Sequence, residues 1–124
     1  MPNWCQNRVT FSGDNNQVEE IKKLFFHETP FQNMIPQPPE EELPQENESL
    51  PGWYSWRLDN WGTKWDISQD DISISDDQNG CLQLEFFTAW APPEGICNFL
   101  REKYGNVSVT WFYDEPGMCD AGYI

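Results

Sequence analysis

The sequence predicts an α+β fold of the ferredoxin-like class, built as one domain over residues 1–124 with the element order β-α-β-β-α-β. Two amphipathic helical patterns each lie between segments in which apolar and polar residues alternate, as in half-buried strands. The two middle strand segments are separated by Asn79-Gly80, a strong hairpin signal. We therefore expect an antiparallel four-stranded sheet with two helices on one face.

The first strand and the first helix follow from their apolar patterns. Across residues 5–11, one face of the predicted strand carries Cys5, Asn7, Val9 and Phe11. Asp14 then provides a helix cap, and residues 15–28 place an apolar stripe on one side, made of Val18, Ile21, Leu24 and Phe25. Pro30 ends this helix, because proline interrupts the hydrogen bonds of a helix interior.

An insertion over residues 30–65 separates the first helix from the second strand. Its first part, residues 30–52, contains six prolines and five glutamates, so we expect neither helix nor sheet interior there. Its second part, "WYSWRLDNWGTKWD" at residues 53–66, has four of the seven tryptophans in the chain. Because a plain ferredoxin-like fold does not need such a segment, we expect it to cover the sheet face that the helices leave open.

The remaining elements are predicted in the second half of the chain. Ile72 and Ile74 mark the second strand, and residues 81–90 alternate as a third, central strand does. Residues 91–105 begin with prolines, carry an apolar stripe and end in glycine, which is typical of a helix. Residues 106–115 form the fourth strand, and the final residues offer a short additional edge strand.

Charge is the strongest compositional signal, because 21 Asp and Glu residues face seven Lys and Arg residues, for a formal net charge of −14. Binding to nucleic acid or to an anionic membrane depends on cationic side chains, so direct binding to either is not expected. The acidic balance either serves solubility alone or matches a host protein with a basic surface. The candidate partner-binding carboxylates lie in acidic runs and are Glu40, Glu41, Glu42, Glu46, Glu48, Asp70, Asp71, Asp76 and Asp77.

No catalytic or metal-binding pattern is recognisable in the sequence, and no cofactor is expected. His27 is the only histidine, the four cysteines show no C-x-x-C pair, and no glycine-rich phosphate loop occurs. We therefore predict that the chain is not an enzyme. The amino terminus lacks the pattern of a signal peptide, and no apolar run approaches the length of a membrane span, which predicts a cytoplasmic protein.

The tryptophan-rich block allows three interpretations. Its indoles plug the sheet, contact a partner protein, or line a pocket for a small flat ligand, because tryptophan combines a large apolar area with one N–H donor. Arg57 and Lys64 can lie over indole faces, which suits both kinds of binding. The candidate pocket residues are Trp56, Arg57, Asn60, Trp61, Lys64, Trp65 and Trp90.

Four stretches, spread from one end of the chain to the other, resemble one protein family. They read "MPNWCQNRVTFSGD", "NWGTKWD", "FTAWAPP" and "YDEPGMCDAGY". They are similar to the YubB-type ferredoxin-like family, whose members are carried by bacteriophages and conjugative plasmids. The resemblance implies a ferredoxin-like fold and a mobile-element protein inside a bacterial host cell, and it implies no catalytic residues.

These observations favour a small acidic mobile-element protein that acts as a non-enzymatic protein-binding module. In its sharpest form, this hypothesis makes the chain a defence inhibitor of the anti-CRISPR kind, or an inhibitor of another host nucleic-acid-handling complex. Its acidic surface would then mimic the phosphates of DNA. The alternative is a small-ligand or nucleotide-binding domain that uses the tryptophan-rich block.

Overall fold

In a computed structural model, which describes residues 3–43 and 52–124, the chain forms an antiparallel five-stranded sheet. Its strands are β1 (Trp4–Gly13), β2 (Ser73–Gln78), β3 (Cys81–Ala89), β4 (Val107–Glu115) and β5 (Asp120–Tyr123). The order across the sheet is β2-β3-β1-β4-β5. β1 therefore lies between β3 and β4, as in a ferredoxin-like sheet, and the predicted hairpin joins β2 to β3.

The described part of the chain contains four α-helices, which are α1 (Asn15–Phe25), α2 (Pro30–Met34), α3 (Gly52–Asn60) and α4 (Glu94–Lys103). The α+β ferredoxin-like class with an antiparallel sheet is confirmed, but the expected layout of four strands and two helices is wrong. The additional strand is β5, which pairs with β4 at the sheet edge, and the additional helices lie in the insertion. None of these helices is long and apolar enough to cross a membrane.

Local capping explains where α1 and α2 begin. Asp14 accepts a hydrogen bond from the backbone N–H of Gln17 at 3.0 Å, as expected of an N-cap. Pro30 opens α2, because proline at the first helical position has a suitable φ and needs no partner for an N–H. The expectation that the proline-rich part contains no helix is therefore wrong at its first residues.

Most of the insertion packs on the same side of the sheet as α1 and α4, so the expectation that it covers the open face is wrong except at its last residue, Trp65, whose ring packs against Trp4 on the open face. Phe31 of α2 is fully buried, with its ring centroid 6.4 Å from that of Phe86 on β3 and 5.9 Å from that of Trp61. Phe86 also packs beside Phe25 of α1, so both helices share one core. The physical reason is that the apolar side chains of α2 gain more by extending this core than by covering a polar sheet face.

The other face of the sheet is more polar and more exposed. β1 turns Trp4, Arg8 and Ser12 towards it, and all three side chains are exposed. Arg8 forms an ion pair across this face with Glu85 of β3, with Nε and Oε1 2.8 Å apart. The open face therefore remains accessible beside the cleft that the next subsection describes.

Candidate functional site

Four separate parts of the chain meet at one end of the sheet, where β1 begins and β3 ends. The backbone N–H of Trp90 donates to the carbonyl of Asn3 at 2.8 Å. The Thr63 hydroxyl donates to the carbonyl of Ala89 at 2.8 Å, which ties the tryptophan-rich block to the end of β3. Asn3 also lies against Gly117, since a Cβ on that glycine would be 2.6 Å from the Asn3 side chain. All four stretches that carry the family resemblance therefore converge here.

A cleft of about 400 Å³ opens at this end of the sheet, and we call it the aromatic cleft. It forms because β2 begins only at Ser73, opposite Glu85, so the described residues provide no strand beside the last part of β3 on that side. Residues 65–71 supply the rest of the wall together with the start of β1. The lining consists of Trp4, Trp65, Asp66, Ile67, Asp71, Phe87, Thr88 and Ala89.

Four large aromatic side chains are exposed in and beside the aromatic cleft. The exposed fractions are 46% for Trp4, 39% for Trp65, 53% for Phe87 and 45% for Trp90. The Trp4 and Trp65 rings pack against each other with their centroids 6.2 Å apart. Clustered exposed apolar side chains are typical of an interaction site, because burying them in the core would stabilise the fold more.

Trp90 is held in a backbone conformation that tryptophan rarely adopts. Its φ is +68°, in the left-handed region, where a residue with a Cβ is disfavoured by about 1–2 kcal/mol. Its N–H is bound to Asn3, and the Thr88 hydroxyl donates to the carbonyl of the following residue, Ala91, at 2.7 Å. The surrounding hydrogen bonds therefore hold an exposed indole in place in spite of backbone strain.

The predicted pocket residues divide into an inner and an outer group. Trp61, in the inner group, is only 1% exposed, and its Nε1–H donates to the carbonyl of Ile35 at 2.9 Å. The Trp56 ring meets it edge-on, with the centroids 5.7 Å apart, and the Asn60 amide donates to the Trp56 carbonyl at 2.9 Å. These are contacts of a packed core, so this half of the block fits the structural interpretation.

Arg57 completes the inner group. Its guanidinium carbon lies 4.7 Å from the ring centroid of Trp53 and 5.0 Å from that of Trp61. Its Nε donates to the side-chain oxygen of Gln37 at 2.6 Å, and its Nη1 donates to the carbonyl of Lys64 at 3.1 Å. The guanidinium therefore anchors the backbone that leads from α3 to the aromatic cleft.

Asp66 connects the aromatic cleft to the start of α2. Its carboxylate accepts backbone hydrogen bonds from Phe31 at 2.9 Å, Gln32 at 2.9 Å and Ile67 at 2.8 Å. Burial raises the pKa of the Asp66 carboxyl, while these three N–H groups and the charge of Arg57 act in the opposite direction. Asp66 therefore caps α2 and is at the same time one of the residues that line the cleft.

Lys64, Trp65 and Trp90 form the outer group. The Lys64 Nζ lies 4.4 Å from the ring centroid of Trp65 and 5.9 Å from that of Trp90. Within the described part of the chain, this ammonium forms no ion pair. Its charge therefore rests on indole faces at the rim of the cleft.

The candidate acidic residues are distributed over several elements. Glu40–Glu42 form one exposed turn of 3-10 helix in the insertion, and Asp71 lines the aromatic cleft. Asp77 of β2 is paired with Lys22 of α1 at 2.5 Å, so its charge is partly balanced. Outside the described residues lie Glu46 and Glu48.

The buried cysteines do not resemble catalytic thiols. Cys5 and Cys97 are fully buried, and burial raises the pKa of each thiol to about 11. Such thiols stay protonated at neutral pH, whereas a reactive cysteine needs its thiolate. Within residues 3–43 and 52–124, no three His, Cys, Asp or Glu side chains are placed to hold a metal ion.

Trp4 and Phe87 line the aromatic cleft but are absent from the candidates that the sequence suggested. Each lies on the opposite face of its strand from the buried neighbours, Cys5 and Phe86. The sequence signal that could have identified them is a large aromatic residue on the polar side of an alternating strand. Alternation alone does not tell which of these residues become neighbours, because that depends on the register between β1 and β3.

Comparisons with known proteins agree with this fold. A family model described as the ferredoxin-like domain in Api92-like protein matches residues 60–124, just over half of the chain. The crystal structure of the protein api92 from Yersinia pseudotuberculosis superimposes with a TM-score of 0.71 at 10% identity, covering 99% of this chain and 93% of that one, which shows the fold alone. A stretch of 24 residues is 62% identical to "Uncharacterized protein YubA" of Escherichia coli K12, covering 19% of this chain and 14% of that protein. The narrower resemblance to YubB-type proteins of phages and plasmids stays a prediction.

Proposed function

The chain belongs to the family of ferredoxin-like domains in Api92-like proteins, and we propose that it is a non-enzymatic protein-binding module whose contact surface is the aromatic cleft. A ferredoxin-like fold hosts many unrelated functions, so the support comes from the surface and not from the family. The partner is a protein that offers a basic segment. As a mobile-element protein in the cytoplasm of a bacterial host cell, the chain would occupy a basic site of a nucleic-acid-handling or defence complex in place of nucleic acid.

The cluster of four exposed aromatic rings carries this proposal. Tryptophan is over-represented among the residues that dominate protein–protein binding energies, because one rigid ring buries a large area on contact. Trp4, Trp65 and Phe87 line one continuous cleft, and Trp90 follows directly after its last lining residue. The strain at Trp90 supports a binding role, since backbone strain in folded proteins concentrates at functional sites.

The charged residues around the cleft indicate that the partner carries positive charge. Two acidic residues, Asp66 and Asp71, line the cleft, in a chain with a formal net charge of −14. Of the cations, Arg8 is paired with Glu85 and Lys22 with Asp77, while Lys64 at the rim of the cleft lies on the rings of Trp65 and Trp90. An anionic ligand would therefore meet mostly like charges, whereas a basic segment would be attracted and its association would weaken with salt.

A small flat ligand is the second candidate, and the size of the cleft favours it. Its volume of about 400 Å³ lies in the range of small-molecule pockets, and indole faces stack with planar rings. Quenching of tryptophan fluorescence by a panel of nucleosides and nucleotides tests this alternative directly. Because of the carboxyl groups, we expect any quenching to be stronger with an uncharged nucleoside than with its phosphorylated form, and no quenching by any member would remove this candidate.

The protein-binding role is tested with a fluorescein-labelled arginine-rich peptide, whose binding is followed by fluorescence anisotropy. The double variant Trp4→Ala/Phe87→Ala removes two rings of the cleft, and we expect its affinity to fall by about tenfold or more. The matched control is Phe112→Ala/Tyr123→Ala, because these rings, with centroids 5.3 Å apart, form another aromatic pair on the same face but at the β4–β5 edge of the sheet. The control should bind as the wild type does, and added salt should weaken both.

Two outcomes would overturn the protein-binding role. The wild-type chain would show no binding of the peptide even at low salt, or the cleft variant and the control would lose affinity equally. The inhibitor role has a separate test, in which host lysate passes over immobilised wild type and cleft variant. Nucleic-acid-binding proteins should be retained by the wild type alone and be released by competing DNA, and retention that DNA leaves unchanged contradicts mimicry.

A further inference from the structure

Lys64 places a positive charge against two exposed indoles. Its Nζ lies 4.4 Å from the centroid of Trp65 and 5.9 Å from that of Trp90, within the range of cation–π contacts. The chain has 21 carboxylate side chains, yet among the described residues the Lys64 ammonium has no carboxylate within ion-pair distance. The attraction of the two aromatic faces therefore accounts for the cation at this position.

Hydrogen bonds hold the backbone that carries the two indoles. Trp90 is held by its own N–H bond to Asn3 and by the hydroxyl bond of Thr88 just beyond it. The Lys64 carbonyl is bound by Arg57 at 3.1 Å, which fixes the backbone before Trp65. The Lys64 side chain, in contrast, is a flexible four-carbon stem with a rotatable head group. The site is thus pre-formed, and its present occupant is easily displaced.

We infer that this position is a binding site for one arginine side chain of a partner protein, and that Lys64 is its internal occupant in the free protein. This inference rests on the proposed function and specifies the ligand of the same surface. Arginine is favoured over lysine because its planar guanidinium stacks on indole faces and is less strongly hydrated. The carboxyl groups of Asp66 and Asp71 in the adjoining cleft would attract the neighbouring basic residues of the same segment.

Lys64 and the ligand compete for the same position, so removing the Lys64 ammonium should raise the affinity for the ligand. An exposed cation–π contact corresponds to about a two- to fivefold change in a binding constant, so removing the internal occupant should tighten binding by that factor. Lys64→Met removes the charge and keeps a side chain of similar length. Lys64→Arg keeps the charge and stacks better, so it should weaken the binding of the same peptide.

The control must separate this competition from a general change of charge. Lys103→Met removes one positive charge at the far end of α4, where the Lys103 Nζ also lies on aromatic rings, 5.5 Å from Phe99 and 5.7 Å from Tyr104. It therefore reproduces both the change in net charge and the loss of a cation–π contact away from the site. The difference between the two methionine variants measures the competition itself.

The experiment titrates the arginine-rich peptide, and a counterpart in which neutral citrulline replaces arginine, into the wild type and the three variants, with thermal unfolding as a check on the fold. We expect tighter binding of the arginine peptide to Lys64→Met than to Lys103→Met, weaker binding to Lys64→Arg, and little binding of the citrulline peptide to any. If the peptide binds in the aromatic cleft but Lys64→Met and Lys103→Met bind it equally, the cation site is refuted while the protein-binding role stands. If no variant binds the peptide, both are refuted.

Discussion

Replacing Trp61 with phenylalanine should destabilise the protein far more than the same replacement at Trp65, although both belong to one sequence block. Trp61 is 1% exposed, packs against Phe31 and Trp56, and donates a hydrogen bond to the carbonyl of Ile35 at 2.9 Å. Trp65 is 39% exposed. The pair therefore compares a core indole with a surface indole under an identical chemical change.

The expected magnitude follows from these contacts. Phenylalanine has three heavy atoms fewer than tryptophan, and each buried group of this size contributes about 0.8 kcal/mol, so the lost burial at Trp61 amounts to about 2 kcal/mol. The lost hydrogen bond leaves the Ile35 carbonyl without this donor and adds about 1 kcal/mol. We therefore expect a loss of about 3 kcal/mol for Trp61→Phe and of less than about 1 kcal/mol for Trp65→Phe.

Urea unfolding followed by far-ultraviolet circular dichroism measures both values without relying on the altered fluorophores. The slope of the free energy against urea should stay the same, so that the shift in midpoint reports stability alone. Equal losses for the two variants, or a larger loss for Trp65→Phe, would show that the division into an inner and an outer group is wrong. The peptide titration adds the converse expectation, since Trp65→Phe should weaken binding and Trp61→Phe should not.

Three further predictions concern the strained residue and the buried titratable groups. In urea titrations, the free energy of unfolding of Trp90→Gly should be about 1 kcal/mol higher than that of Trp90→Ala, because a φ of +68° strains alanine and not glycine. A glycine variant that is less stable than the alanine variant would contradict the strain. Glu115 is buried, and neither of its carboxylate oxygens has a hydrogen-bond partner among the described residues. Glu115→Met should therefore raise the free energy of unfolding by about 1–3 kcal/mol, seen as a higher urea midpoint. A lower midpoint would show that the carboxylate stabilises the fold. Burial raises the pKa of Cys5 and of Cys97 from 9.0 to about 11, so as the pH rises over this range the unfolded thiols lose protons before the folded ones, and the free energy of unfolding should fall by about 2–3 kcal/mol per thiol. A Cys97→Ala variant should show a shallower fall than wild type between these pH values, and an equally steep fall would contradict the raised pKa of this thiol.

Local patterns predicted the strands and both main helices because their causes are local. The alternation that begins at Cys5 and the stripe that includes Val18 each reflect one buried face, and the structure buries both. Asn79-Gly80 makes the predicted hairpin, with Gly80 at a φ of +75°. Each of these features is decided within a few residues, so it could be predicted from the sequence.

Long-range packing decided the side of the sheet on which the insertion lies. Composition indicated a proline-rich segment with a few apolar anchors, and the open face was the plausible place for it. Phe31 instead extends the core beside Phe86, and Asp66 reaches back over more than thirty positions to cap the short helix α2. Contacts at this separation depend on the whole fold, and the local sequence does not specify them.

Fold class and net acidity followed from the chain alone, and the tryptophan-rich block was recognised there as a candidate site, whereas Trp4 and Phe87 were missed. Burial then separated the tryptophans of this block into core and surface residues, because burial is a property of the assembled core. Trp61 enters the core and Trp65 does not. The register between β1 and β3 brought Trp4 and Phe87 to the same cleft. Hydrogen bonds around the strained backbone of Trp90 placed its indole beside Lys64. The residues of the aromatic cleft are neighbours that are distant in sequence, so only part of its lining was readable from the chain, and its geometry was not.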